Sequence, residues 1–296
     1  MLPNVGDAPN LEVPKEPINV ERGRYLANSV AVCMDCHSVR DWSLFTGPPT
    51  PGTLGRGGEE FNQEMGLLGV YYSKNLTPYG LKDWTDGEIF RAITTGVSKE
   101  GNALFPIMPH PNYGRADKKD IYDIIAYLRS LEPIEYTPPP AVSDVPMNFI
   151  INTIPKEASF TTMPDKSDKV AYGKYLTTLA SCGDCHTPFE AGEYDMTHFL
   201  AGGRKFLMPG ATLTTPNLTP DKETGLGNWN ETVFVQRFKQ YQDSSYVLPS
   251  VKPGDFMTIM PWIMYSSMEE DDLKAIFAYL QSLEPISNKV EKFKLN

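Results

Sequence analysis

The sequence predicts an all-α protein of two tandem helical domains with long loops. Three observations lead there. The stretch CMDCH at 33–37 returns as CGDCH at 182–186, and most of the chain around it repeats as well. Each copy carries apolar residues at helical spacing. No run alternates apolar and polar residues over a useful strand length. A length of 296 residues leaves room for about two domains, each with its own core. The 26 prolines and 23 glycines imply much irregular chain between the helices.

The repeat runs well beyond five residues. GRYLANSVAVC (23–33) matches GKYLTTLASC (173–182), and GRGGEEF (55–61) answers LAGGRKF (200–206). NLTP at 75–78 recurs at 217–220, and Trp84 pairs with Trp229. MPHPNY (108–113) pairs with MPWIMY (260–265), and IYDIIAYLRSLEPI (121–134) aligns without a gap to LKAIFAYLQSLEPI (273–286). We therefore expect a first domain over 1–140, a linker over 141–166 and a second domain over 167–296. The prolines of YTPPPAVSDVP (136–146) favour an extended, semi-rigid spacer.

Each copy is expected to hold three helices. The first runs from about Val20 to Ala31, and from about Lys169 to Ala180 in the second copy. The middle one starts at Thr85, which forms a capping box with Glu88, and at Asn230 in the second copy. The last is clearest. Ile121, Ile124, Ile125, Leu128 and Leu131 share one helix face, as do Leu273, Ile276, Phe277, Leu280 and Leu283. Ser267 with Glu270 reads as a second capping box, and Pro133 and Pro285 stop the two helices. Gly23 and Gly173 are placed to let the first helix approach the last closely, against Tyr127 and Tyr279.

The four cysteines of the chain are Cys33, Cys36, Cys182 and Cys185, all within the two motifs. Three chemistries want two thiols at this spacing. A redox pair needs a lowered thiol pKa and sits near a βαβ pattern, which this sequence lacks. A zinc site uses the pair as half of a tetrahedral set. Covalent attachment of a c-type haem needs two thiols and then a histidine as axial ligand. Two copies, each followed directly by His37 or His186, point to two covalently bound haem c groups.

The sixth iron ligand decides what such a site does. Met108 and Met260 recur in both copies, each before a proline and five residues before a tyrosine. They follow His37 and His186 by 71 and 74 residues. His110 is the rival in the first copy, but Trp262 stands at its place in the second. His110 and His198 therefore read as surface or loop histidines. Asn75, Thr77, Asn217 and Thr219, with the indoles of Trp84 and Trp229, are candidate donors to haem propionates. The bland reading of NLTP is a turn, and of the tryptophans, core.

Together these residues resemble a family. Each half is similar to a class I cytochrome c domain, with GxYL before Cys-x-x-Cys-His, then NLTP, Met-Pro-x-x-x-Tyr and AYLxSLEP. The halves resemble more closely the repeated domains of multihaem cytochrome c subunits of periplasmic alcohol, aldehyde and gluconate dehydrogenases. AGGRKF, NLTPDKETGLGNW and MPWIMY make the second half the nearer one. That family usually carries three haem domains, and this chain shows two. The resemblance implies a tandem cytochrome c fold, covalent haem and an oxidising, extracytoplasmic compartment. It also implies redox-protein donors and acceptors, with a dehydrogenase among them.

The acidic charge suits either a basic protein surface, through electrostatic steering, or simple solubility, the commoner reason for it. The net charge is −10, from 27 basic and 37 acidic residues, so nucleic acid is not an expected partner. No apolar run approaches the length of a transmembrane helix. MLPNVGDAPN has neither the basic start nor the apolar stretch of a signal peptide. The expectation is that a targeting segment was removed and that Met1 is a recombinant start. The functional expectation is a dihaem electron carrier relaying electrons to a respiratory acceptor. Its rival is a dihaem enzyme, a peroxidase or a sulfur-compound oxidase, which would need one open iron.

Overall fold

The computed structural model describes residues 3–296, so the expectation about Met1 lies outside the described residues. The chain divides into two units. The first runs to Asp41 and takes Pro49–Gln63 and Leu67–Met163. The second takes Trp42–Pro48, Glu64–Gly66 and Pro164–Asn296.

In the first unit α1 (Pro17–Tyr25) begins with proline at its first position, where the missing N–H costs nothing. It continues as a π-helical turn, Leu26–Val30, to a left-handed Val32 at φ 44°. Then come α2 (Cys33–Cys36), β1 (Glu60–Phe61), β2 (Gly69–Tyr72), α3 (Pro78–Leu81), α4 (Asp86–Thr95), α5 (His110–Tyr113) and α6 (Lys118–Ser130). After α6 the chain adds β3 (Val142–Ser143) and α7 (Met147–Ile150). The predicted box at Thr85 forms: the Glu88 amide donates to its hydroxyl at 3.2 Å, and its own amide donates to the Glu88 carboxylate at 2.7 Å.

The second unit holds α8 (Lys169–Leu179), α9 (Cys182–His186), β4 (Phe189–Glu190), β5 (Glu193–Tyr194), β6 (Lys205–Met208) and β7 (Ala211–Thr214). It continues through α10 (Glu231–Lys239), α11 (Trp262–Ser266), α12 (Glu270–Gln281) and β8 (Phe293–Leu295). Asn230 caps α10 as expected, accepting from the Val233 amide at 2.9 Å. The predicted box at Ser267 and Glu270 is not formed. The helix starts one residue after Glu269, and the Ser267 hydroxyl turns back to the Met264 carbonyl.

Each unit is organised by one close helix crossing. A Cβ on Gly23 of α1 would sit 1.8 Å from the Asp123 carbonyl oxygen of α6, and one on Gly173 of α8 would sit 1.9 Å from that of Ala275 on α12. Glycine is required at both for the backbones to approach this closely. Leu26, Ile121 and Ile125 fill the first crossing, and Leu176 and Leu273 the second, all fully buried. A second cluster in the first unit gathers Phe61, Tyr71 and Ile151, with Cys36 and Phe105 against it.

The all-α expectation is corrected. About 36% of the described residues are helical and 10% are in strand, with three small antiparallel sheets among them. Their orders are β1-β2-β3, β4-β5 and β6-β7-β8. The strands are two to four residues long, too short to show a period of two. The third strand of two sheets also comes from far along the chain: Val70 pairs with Val142, and Leu213 with Phe293.

Candidate functional site

The two attachment motifs have the same local build. A left-handed residue, Val32 or Ser181, breaks the preceding helix, and α2 or α9 starts at the next residue with a cysteine. Left-handed backbone is costly for β-branched Val32, so the surrounding structure holds this turn in place. One helical turn then sets Cys33 with Cys36, and Cys182 with Cys185, on one face. Burial pushes the Cys33 and Cys182 thiols up to about 12, and Cys185 to about 11. These thiols are protonated at neutral pH, the opposite of a redox-active pair.

The histidines are oriented identically. His37 Nδ1 lies 2.7 Å from the Lys74 carbonyl oxygen, and His186 Nδ1 lies 2.8 Å from that of Pro216. A carbonyl accepts only, so each Nδ1 carries the proton and each Nε2 keeps its lone pair for a metal. Burial holds both imidazoles below the usual range, which keeps them neutral and able to ligate. The histidine backbone is pinned too: the Gly57 amide donates to the His37 carbonyl at 2.8 Å, and Gly202 to His186 at 2.7 Å. The double glycines of the repeat thus close onto the motif. Two thiols on one helical face, followed by a histidine fixed with Nε2 available, fit a covalently attached haem. Among the described residues no group of three or more His, Cys, Asp and Glu is arranged to hold a metal ion, so the zinc reading has no second half.

Met108 and Met260 are half-buried and sit at one recurring turn. The His110 amide donates to the Met108 carbonyl and the Trp262 amide to the Met260 carbonyl, both at 2.7 Å. Pro109 (φ −78°, ψ 50°) and Pro261 (φ −78°, ψ 64°) are the central residues. This is the inverse γ-turn, and proline presets its φ. The following tyrosines anchor it. Tyr113 donates to the Ala31 carbonyl at 2.9 Å and Tyr265 to Ala180 at 2.7 Å. Each methionine turn is thereby tied to the chain two residues before the first attachment cysteine.

His110, read from sequence as a surface or loop histidine, is 1% exposed. It lies against Gly96 at the end of α4, where a glycine Cβ would meet its ring at 2.4 Å. Trp262 stacks at the corresponding end of α10, on Tyr241 at 5.4 Å between ring centroids. The two copies use this position for packing onto the middle helix. His198 is half-buried in the turn that follows β5 and pairs with Asp195 at 2.7 Å.

The Asn and Thr side chains expected to reach haem propionates are bonded within the protein. Asn75 Nδ2 donates to the Ile134 and Tyr136 carbonyls, both at 2.8 Å, and its Oδ1 accepts from the Thr77 amide and hydroxyl. Asn217 Nδ2 donates to the Ile286 carbonyl at 2.7 Å and to the Thr224 hydroxyl at 3.0 Å. Its Oδ1 accepts from the Thr219 amide and hydroxyl. Thr77 and Thr219 accept the Ile134 and Ile286 amides, both at 3.1 Å. The donors of all four side chains are used within the protein. They clip NLTP to the irregular segment that follows the last helix of each copy. Trp84 and Trp229 are half-buried, just before the middle helices. Sequence reasoning missed the Lys74 and Pro216 carbonyls. Their signal was available: each directly precedes the asparagine of NLTP.

Residues 170–284 match the cytochrome c family model. The chain is 29% identical over 284 residues to the alcohol dehydrogenase (quinone) cytochrome c subunit of Gluconacetobacter polyoxogenes, covering 90% of this chain and 56% of that protein. It is 28% identical to the gluconate 2-dehydrogenase cytochrome c subunit of Pantoea cypripedii, over 89% of this chain and 59% of that one. A diheme cytochrome c-type protein of Cereibacter sphaeroides is 26% identical, over 86% of this chain and 82% of its own length. The chain spans little more than half the length of the dehydrogenase subunits that it matches.

Proposed function

We propose that this chain, whose residues 170–284 are a cytochrome c domain homologous to cytochrome c subunits of dehydrogenases, is a dihaem electron carrier. It would take electrons from a dehydrogenase and pass them to a respiratory acceptor. The carrying observation is the duplicated ligand frame: histidine Nδ1 on a backbone carbonyl, and a methionine in a proline-centred turn, in both copies. Haem c supplies the one-electron couple. The protein's residues do the rest. Cys33, Cys36, Cys182 and Cys185 would hold the two groups covalently. His37 and His186 would offer Nε2, and Met108 and Met260 sulfur, as the iron ligands. Rigid ligands mean little rearrangement with each electron, and thioether ligation raises the potential.

The alternative, a dihaem peroxidase or sulfur-compound oxidase, needs one exchangeable sixth position. The same Met-Pro turn in both copies weighs against it. The Cys-x-x-Cys-His motifs and the dehydrogenase subunits among the relatives support an extracytoplasmic location. Among the described residues no helix is long and apolar enough to cross a membrane.

The test is to mix oxidised protein with an alcohol or gluconate dehydrogenase and its substrate, and to follow reduction by stopped-flow absorbance. Reduction of both haems within the donor's turnover supports the carrier. No reduction by any such donor, with rapid turnover of peroxide or a sulfur compound, overturns it.

A further inference from the structure

The two methionine turns differ in one respect that the repeat conceals. Met260 is gripped by threonine side chains. Its amide donates to the Thr258 hydroxyl at 3.0 Å, and its carbonyl accepts from the Thr46 hydroxyl as well as from the Trp262 amide. The Met108 amide donates to the Phe105 carbonyl at 3.3 Å and its carbonyl accepts from the His110 amide, both partners being backbone.

Thr46 belongs to the Trp42–Pro48 segment of the second unit. That segment is stitched to the chain leading toward Met260. Leu44 bridges Ser250, the Phe45 amide donates to the Pro249 carbonyl at 2.8 Å, and the Val251 amide donates to the Ser43 carbonyl at 2.8 Å. The Phe45 ring faces Phe256 at 6.1 Å. Thr46 is 2% exposed and has φ 68°. A β-branched residue in left-handed backbone is rare and costly. Such strain persists where the surroundings over-determine it, and it concentrates at functional sites. The strained backbone here aims one hydroxyl at one carbonyl, that of the methionine.

We propose that Thr46 is a positioning residue for Met260. It fixes the turn so that the sulfur stays on the iron of the second haem, and it makes Met260 the less displaceable of the two methionines. The inference rests on Met260 being the sixth ligand.

The experiment uses the exported dihaem protein with Thr46→Val, Thr46→Gly, Thr46→Ser and Met260→Ala. The readouts are the far-red methionine–iron band of the oxidised protein, the pH at which it is lost, and carbon monoxide binding after reduction. Met260→Ala should remove about half of the band, one of two equivalent haems. Thr46→Val and Thr46→Gly should lower the pH of band loss for one haem by about one unit, roughly tenfold in the ligation equilibrium, and open that haem to carbon monoxide. Thr46→Ser should behave as wild type. Glycine accepts the left-handed backbone, so Thr46→Gly folds even if valine does not. Wild-type band, midpoint and carbon monoxide resistance in Thr46→Gly would overturn the role of Thr46. A full band in Met260→Ala would overturn the ligand assignment beneath it.

Discussion

The Tyr265 hydroxyl donates to the Ala180 carbonyl at 2.7 Å, and both residues are buried. Tyr113 and Ala31 repeat the bond at 2.9 Å. It joins the methionine turn to the chain two residues before Cys182, so the methionine and the Cys-x-x-Cys-His motif are referenced to one backbone. Tyr265→Phe keeps the ring and leaves a buried carbonyl unsatisfied. We predict a loss of about 1–3 kcal/mol in denaturant unfolding of the holoprotein. A variant with wild-type stability would show that the bond is idle.

Asn217 makes four side-chain hydrogen bonds at 2% exposure, so its role is structural. Asn217→Ala breaks the clip between NLTP and the segment after α12, and strands buried donors and acceptors. The expected cost is about 3 kcal/mol. The haem spectrum of the surviving folded protein should change little. A specific loss of haem potential with unchanged stability would restore the propionate reading.

Gly173→Ala sets a Cβ 1.9 Å from a backbone carbonyl, which no rotamer relieves. Helices α8 and α12 must separate. We expect at least about 3 kcal/mol of destabilisation by the overpacking mechanism. Thermal unfolding of Gly173→Ala and Gly23→Ala checks it, and normal melting in either would mean that the crossing is softer than its geometry.

Much of this was legible in the sequence because the chain says most things twice. The helices, the Thr85 box and the glycine crossings are local or repeated signals. The sheets were not legible. Val142 and Phe293 become strand residues only by pairing with Val70 and Leu213, and nothing local marks them. The Ser267 box failed because the helix starts two residues later than the pattern implies, with Glu269 at the N-cap. The carbonyl partners of the histidines and the grip of Thr46 on Met260 are side-chain-to-backbone bonds between distant segments. The accepting carbonyl carries no residue signature, though the constant place of Lys74 and Pro216 before NLTP hinted at the first.

His110 gives the chain a pH dependence. Burial pushes its imidazole down to about 4, and among the described residues Nε2 has no hydrogen-bond partner. The unfolded histidine titrates near 6.5. Between these values the unfolded state binds the proton more readily. The contribution of His110 to stability is therefore complete above about pH 6.5 and is lost as pH falls toward 4, by up to about 3 kcal/mol. Unfolding free energies measured across that window should fall less steeply in His110→Phe than in wild type. Parallel curves would place the acid sensitivity elsewhere.

The central claim is two haems, each held by one histidine and one methionine. The direct measurement is the optical spectrum of the exported protein, oxidised and reduced, with haem counted per chain. The account predicts two c-type haems, both low-spin, with the far-red methionine–iron band when oxidised and no ready carbon monoxide binding when reduced. A high-spin iron, or rapid carbon monoxide binding to the untreated reduced protein, would contradict one methionine assignment and favour the enzyme. No haem in properly exported protein would contradict the whole reading of CMDCH and CGDCH.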